Sequence, residues 1–206
     1  MRKLFVISTL ILLAAMPAGA QFVAPGGSIP AVANISGVSG SFWRSDVSIL
    51  NLNSTDTSVV ILLLPELKNA GRDFEPQTSD PWPIIANGQL TLSNVVTSVF
   101  GLRNVKGGLS IFSTDGAPLV IASRTYTTAD EGGSYGLNVY VFLVADTALI
   151  ANVQHDGLYR TIVVIFMPVY PQEGESLAFY VTVFDDQGTE VGSGSLVFDQ
   201  AGLWQK

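Results

Sequence analysis

The sequence predicts an all-β fold of antiparallel, Ig-like β-sandwich modules with one short helix. Three observations predict it. Apolar residues alternate with polar ones in short runs: in Trp43-Arg44-Ser45-Asp46-Val47-Ser48-Ile49, Trp43, Val47 and Ile49 share one face while Arg44, Asp46 and Ser48 share the other. Turn residues separate the runs, as at Asn53-Ser54-Thr55-Asp56, Asn87-Gly88, Asp115-Gly116 and Asp186-Gln187-Gly188. The chain also has no cysteine, so apolar burial must hold the fold, and 48% hydrophobic residues supply ample core material.

The first twenty residues stand outside that pattern. Arg2 and Lys3 precede an apolar run from Leu4 to Met16, and Ala18-Gly19-Ala20 follows as a small-residue cleavage site. This is the layout of a secretory signal peptide cut between Ala20 and Gln21. The run is shorter than the roughly 20 residues a spanning helix needs, and no later segment is both long and apolar enough to span a bilayer as a helix. Residues 21–206 are therefore expected outside the cytoplasm, secreted, periplasmic or at the cell surface. Losing Arg2 and Lys3 takes the net charge from −7 to −9. An acidic chain with no basic cluster is a poor partner for nucleic acid or anionic lipid, both of which need Lys and Arg to displace counterions.

Taken in order, the strand starting at Trp43 and the apolar run Val59 to Leu64 read as a hairpin across the turn at 53–56. Residues 66–83 read as irregular, because Pro76, Pro81 and Pro83 cannot sit in a central strand. Asn87-Gly88 predicts a hairpin joining Trp82–Ala86 to Gln89–Leu92. Ser93 is placed to cap a short helix carrying Val95, Val96, Val99 and Phe100, which Gly101 closes. Asp115-Gly116 predicts a hairpin between Leu109–Thr114 and Leu119–Tyr126. A polar loop at 130–134, a buried strand over Leu137–Val144, and strands over Tyr159–Val169, Leu177–Phe184 and Ser193–Phe198 complete the set.

Few residues offer chemistry. The single histidine, His155, lies in Gln154-His155-Asp156-Gly157, which reads as a linker. No Gly-x-Ser-x-Gly elbow surrounds a serine, so a hydrolytic triad has no parts. One His and no Cys cannot make a zinc site. Calcium takes only oxygens, and Asp130, Glu131, Asp185 and Asp186 are its candidates, though none has the alternating spacing of a calcium loop and turn chemistry explains them. No cofactor is expected. Paired carboxylates that could cleave a glycoside are not selected by any spacing. For sugar binding, Trp82, Tyr126 and Tyr135 are the aromatics nearest to loops, and an exposed ring can stack on a pyranose face. Arg44, Arg124 and Arg160 lie among apolar strand residues. There a guanidinium needs a partner, and the expected role is structural, bonding a carboxylate such as Asp46 or strand-end carbonyls.

Trp43-Arg44-Ser45 has an echo 116 residues on, at Tyr159-Arg160-Thr161. The string from Ser41-Phe42-Trp43-Arg44-Ser45-Asp46-Val47 through Asn51 to Pro65, then Ser123-Arg124-Thr125-Tyr126 with Gly133-Ser134-Tyr135-Gly136, and then Gly157-Leu158-Tyr159-Arg160-Thr161, resembles an uncharacterised family of secreted bacterial β-sandwich repeat modules. The resemblance spans most of residues 30–200. It implies one module over 21–150, and over 151–206 a partial second module or an extension packed on the first, cut short at Lys206. The resemblance implies a surface or secreted module with no established activity. The expected function is non-enzymatic: a structural, adhesive or assembly role, with a protein or glycan partner and self-association through an open sheet edge. The alternative is a carbohydrate-binding module using Trp82, with a hydrolase behind it.

Overall fold

The computed structural model describes residues 23–37, 40–68, 71–72, 75–128, 133–139, 164–168, 175–185 and 187–205. The signal segment, His155, Arg160, Asp130, Glu131 and Asp186 lie outside the described residues, as does the echo at 157–161. In chain order the strands are β1 (Val23–Ala24), β2 (Gly26–Ser36), β3 (Phe42–Asn51), β4 (Thr57–Pro65), β5 (Leu67–Lys68), β6 (Gly71–Arg72), β7 (Gln77–Thr78), β8 (Trp82–Ile84) and β9 (Gln89–Leu92). The helix α1 (Val95–Phe100) follows, then β10 (Val105–Ser113), β11 (Leu119–Thr128), β12 (Ser134–Val139), β13 (Val164–Met167), β14 (Leu177–Phe184), β15 (Glu190–Phe198) and β16 (Gly202–Gln205). The described residues form an all-β sandwich with antiparallel ladders and one short helix.

Ten strands form one hydrogen-bonded sheet that folds into two layers. One layer is β2–β10–β4, with β7 and β8 on the far edge of β4. The other is β11–β3–β9, with β1 and β12 along the outer edge of β11. Strand β2 links them: it pairs with β10 over most of its length and turns to β3 at Asn34, Ile35 and Ser36. Alternation decides which side chains meet between the layers. Ile29 and Val32 of β2, Val47 and Ile49 of β3, Val59, Ile61 and Leu63 of β4, Val105, Leu109 and Ile111 of β10 and Leu119 and Ile121 of β11 all point inward and pack together. Each such side chain contributes about 1.5–3 kcal/mol by leaving water. Pro30 sits within β2 only because the register shifts there. Val32 faces Gly107 and Ile29 faces Leu109, so Pro30 and Ala31 together oppose Gly108. A bulge tolerates a residue that cannot donate to the ladder.

The three turns expected to close hairpins instead cross between the layers. Strand β3 pairs with β11, β2 and β9 but not β4; β8 pairs with β4 while β9 pairs with β3; β10 pairs with β2 and β4 while β11 pairs with β3 and β12. Each turn is therefore an arch. Period-two burial is satisfied equally by a hairpin and by an arch, so alternation could not choose between them. Pro83 occupies an edge strand opposite Ser58, which a proline tolerates.

The arches gather at one end of the sandwich, and Asn51 ties them together. Its side chain is fully buried. Its amide donates to the carbonyls of Thr55 (2.9 Å), Ile85 (3.1 Å) and Ile84 (3.4 Å), and its Oδ1 accepts the Asn53 N–H (2.9 Å). The Asn51 N–H reaches the Gly88 carbonyl at 2.9 Å, and the Leu52 N–H reaches Pro118 at 3.0 Å. Asp56 accepts the Ala86 N–H (2.8 Å). Asp115 accepts the Thr57 hydroxyl (2.6 Å) and the Ala117 N–H (3.1 Å).

The Thr57 hydroxyl, and after it the Ala117 N–H, hold the Asp115 carboxyl below the usual carboxylate range. A depressed folded-state pKa means that this contribution is complete above the unfolded value of about 3.9 and disappears as pH falls through the folded value. Asp115→Asn is thus expected to lower the melting temperature at pH 7 and to have little effect near pH 2. An equal loss at both pH values would count against the assignment.

At the opposite end, α1 plugs the sandwich with Val95 and Val96. Its N-cap is Asn94, in the left-handed conformation (φ 48°), rather than Ser93. The Asn94 N–H donates to Asp46 (2.8 Å), and its Oδ1 accepts from the buried Asn34 (2.9 Å), which also donates to Thr97 (2.8 Å). Tertiary bonds to Asp46 and Asn34 thus place Asn94 where a local side-chain cap was expected. Gly101 closes the helix at φ 67°, its N–H on the Thr97 carbonyl.

The C-terminal strands lie on the outer side of the β2–β10–β4 layer. Strands β13 and β16 pair with each other, and Leu203 makes a parallel bridge to Glu66. The Phe166 ring rests on Gly108, where a Cβ would sit inside the ring. Leu64, Met167, Ala201 and Leu203 are all buried, although Leu64 belongs to the outward face of β4. Glu66 pairs with Lys106 at 2.8 Å beside this contact.

Candidate functional site

Register brings Arg124 opposite Asp46 and Arg44 opposite Tyr126 on the outward face of β3 and β11. The Tyr126 ring has the Arg44 guanidinium 5.1 Å and the Arg124 guanidinium 4.6 Å from its centroid. Such cation–π contacts are each worth about 0.5–1 kcal/mol at exposed sites. Asp46 interacts with the Tyr126 hydroxyl by a hydrogen bond and by charge. Burial, and after it Asp46, raise the Tyr126 pKa above its ordinary value, against the two arginines. Arg124 also donates to Ser134 on β12 (2.5 Å), and Arg44 reaches Thr128 at 3.5 Å. Opposite Tyr126 on β12 stands Gly136, where a Cβ would collide with the Tyr126 Cβ. The sequence placed Arg44, Arg124 and Asp46 in one structural group and Tyr126 in another; the fold joins all four. The sign that could have linked them is the spacing of Arg124 and Tyr126 by two residues, which puts both on one strand face.

The aromatics proposed for sugar stacking are dispersed. Trp82 lies on β8 opposite Val59, half-buried against the main core. Tyr126 is held between two guanidinium groups. Tyr135 is 69% exposed on β12. Of the buried strand expected over Leu137–Val144, residues 140–144 lie outside the described residues; within β12 Leu137 is 59% exposed, while Val139 packs against the main core. Tyr135 and Leu137 pair with Thr127 and Thr125 and so lie on the core-facing side of their layer. The opposite layer does not reach over them, because β12 lies beyond β11 at its rim.

Among the described residues, exposed apolar side chains gather on the β14–β15 hairpin, whose turn the sequence placed correctly. Asp185 shapes the turn by accepting the N–H groups of Gln187 (2.9 Å) and Thr189 (2.8 Å), and Gly188 takes φ 79°. In the ladder Leu177 faces Phe198, Phe179 faces Leu196, Val181 faces Gly194 and Val183 faces Gly192. One face is thus wholly apolar, and the other mixes Ala178, Tyr180, Phe184 and Val197 with Thr182, Glu190, Ser193 and Ser195. At its base Phe198 is buried and meets Phe179 edge-on at 5.5 Å. Toward the tip Val181 and Val183 are 38% and 44% exposed, and Tyr180 on the other face is 83% exposed. Among the described residues β14 and β15 pair only with each other.

No group of three or more His, Cys, Asp or Glu among the described residues could hold a metal ion, and no described helix is long and apolar enough to cross a membrane. No protein-family model matches the chain, and no curated protein matches it. Among solved structures, that of Thermotoga maritima 1070 is similar over 58% of this chain and 93% of that one, at 12% identity and a TM-score of 0.44.

Proposed function

We propose that this chain is an exported, non-enzymatic β-sandwich module with a structural or assembly role, exercised through the β14–β15 hairpin. The observation that carries this reading is the hairpin's apolar face, open toward its tip and outside the ten-stranded sheet. A two-stranded hairpin is at best marginally stable alone in water. An apolar face of this kind is therefore expected to find a cover, and contiguous exposed apolar surface marks interaction sites. The charged start and apolar run of residues 1–20 support export, and the resemblance to secreted Ig-like repeat modules supports a place at the cell exterior.

Light scattering on the cleaved chain tests the reading. The mass is expected to rise with concentration, and Val181→Lys with Val183→Lys is expected to abolish the rise while leaving the melting temperature within a few degrees. A strict monomer at millimolar concentration would remove the assembly role. Glycan binding remains the second reading because Tyr135 is an exposed ring beside a polar loop. It predicts that Tyr135→Ala loses retardation on polysaccharide affinity gels; a hydrophobic core role for Trp82 predicts that Trp82→Ala lowers the melting temperature instead.

A further inference from the structure

We infer that the outward face of β3 and β11 is a binding site for an acidic sugar, a hexuronate, whose carboxylate is taken by the guanidinium groups of Arg44 and Arg124. The site does not use the β14–β15 hairpin, so it stands or falls apart from the assembly reading. Both cations lack the partner expected for them. Asp46 stands opposite Arg124 and two residues from Arg44. Its carboxylate instead accepts the Asn94 N–H (2.8 Å) and the Tyr126 hydroxyl. Among the described residues Glu66 and Lys106 form an ion pair, and neither of these guanidinium groups does. The Arg44 Nε is buried with no acceptor. A half-buried cation without a full partner is costly, and an incoming carboxylate relieves that cost. Two cations against one anion leave this face positive in a chain of net charge −7. At physiological ionic strength charges beyond about 8 Å are largely screened, so the local excess governs an arriving anion.

The two side chains converge. Arg44 reaches the Thr128 hydroxyl (3.5 Å) and Arg124 donates to Ser134 (2.5 Å), and Thr128 and Ser134 are partners in the β11–β12 ladder. Both guanidinium groups therefore lean across Tyr126 toward the same end of the face. A guanidinium carries five N–H donors, and Arg124, Thr128 and Ser134 are all exposed, so donors remain within reach of a ligand. The surroundings favour a sugar over an acidic peptide. Phe42, two residues before Arg44 on the same face, is 41% exposed, and an open ring stacks on the apolar face of a pyranose. Two residues along a strand span about 6.6 Å, a gap that one sugar ring bridges. The hydroxyls of Thr128 and Ser134 both donate and accept, as sugar hydroxyls do. Strands β3 and β11 are paired on both sides here, by β2 and β12, so the face offers a peptide no free backbone edge to join.

Titration of the isotope-labelled chain with methyl glucuronide, methyl glucoside, acetate and a short Asp-Gly peptide, followed by NMR, tests this. The expected result is that the glucuronide moves the Arg44 and Arg124 side-chain signals and the Phe42 ring signals saturably. The glucoside and acetate are each expected to bind at least tenfold more weakly, because each offers half of the recognised group. Arg124→Gln is expected to weaken the glucuronide by about tenfold, the effect of losing a charge-assisted bond, and to leave the glucoside unchanged. Phe42→Ala is expected to weaken both glycosides and leave acetate unchanged. Should a variant fail to fold, the comparison of the four probes on the parent chain decides by itself. Acetate binding as tightly as the glucuronide would reduce the site to a carboxylate contact and overturn the sugar. Tighter binding of the peptide would put a protein in the sugar's place and overturn it as well. No movement of the arginine signals with any probe overturns the site, and none of these outcomes touches the assembly reading.

Discussion

Replacing Asn51 with leucine is expected to lower the melting temperature by about 6–12 °C. The side chain of one residue of β3 holds two of the arches: its amide serves carbonyls of Thr55, Ile84 and Ile85, and its carbonyl oxygen serves the Asn53 N–H. Leucine has similar volume but leaves these groups without their partner inside a buried end. An unmade bond to a buried polar group costs about 1–3 kcal/mol, and rehydration of the outermost groups limits the total to about 3 kcal/mol. For a chain of this size each kcal/mol shifts the midpoint by about 2–4 °C. Asn51→Asp separates the donor role from the acceptor role. It keeps an oxygen for Asn53 but turns a carboxylate toward carbonyls, which raises its pKa. That variant is expected to be less stable than Asn51→Leu at pH 7 and to recover part of the loss near pH 4. A melting temperature for Asn51→Leu within 2 °C of the parent would show that the arches hold themselves.

The second large effect is expected at Gly108. Its position on the outer side of β10 is the floor on which Phe166 lies, and a Cβ there would enter the ring. Gly108→Val adds a branched side chain in a strand, where the backbone itself tolerates it, so the conflict is confined to the overlying layer. Overpacking of this kind costs about 1–3 kcal/mol when neighbours can shift. Release of β13 and β16 is the expected response. Hydrogen exchange should then speed up over 164–167 and 202–205, while 105–113 keeps its protection. Combining Gly108→Val with Phe166→Ala should cost less than the sum of the single changes, because the clash is gone. Unchanged exchange in the C-terminal strands would show that Phe166 does not hold that layer in place.

Both effects arise at positions that the sequence did not single out. Asn51 entered only as one position of the string that carries the family resemblance. A buried Asn on a strand and an Asn in a solvated turn look alike until the second arch is brought to it. Gly108 lay just before the strand expected to begin at Leu109, and nothing within ten residues of it hints at Phe166. The joining of Arg44, Asp46, Arg124 and Tyr126 is similar: each residue was noticed, but its neighbours depend on how β3 and β11 are aligned.

What the sequence determined by itself was local. Period-two burial over 43–49 marked β3, Asp-Gly and Asn-Gly pairs marked the reversals, Gly101 marked the end of the helix, and the strands over 177–184 and 193–198 were read with the turn between them. The tertiary structure alone decided which strand lies beside which across the arches, where the bulge at Pro30 falls, what covers the outer side of β10, and that Tyr135 and Leu137 of β12 are exposed. The reason is physical. A side chain's preference for one face of a strand acts within two or three residues, whereas backbone hydrogen bonds are the same for every residue. The choice of ladder partner therefore waits on the packing of all the layers together.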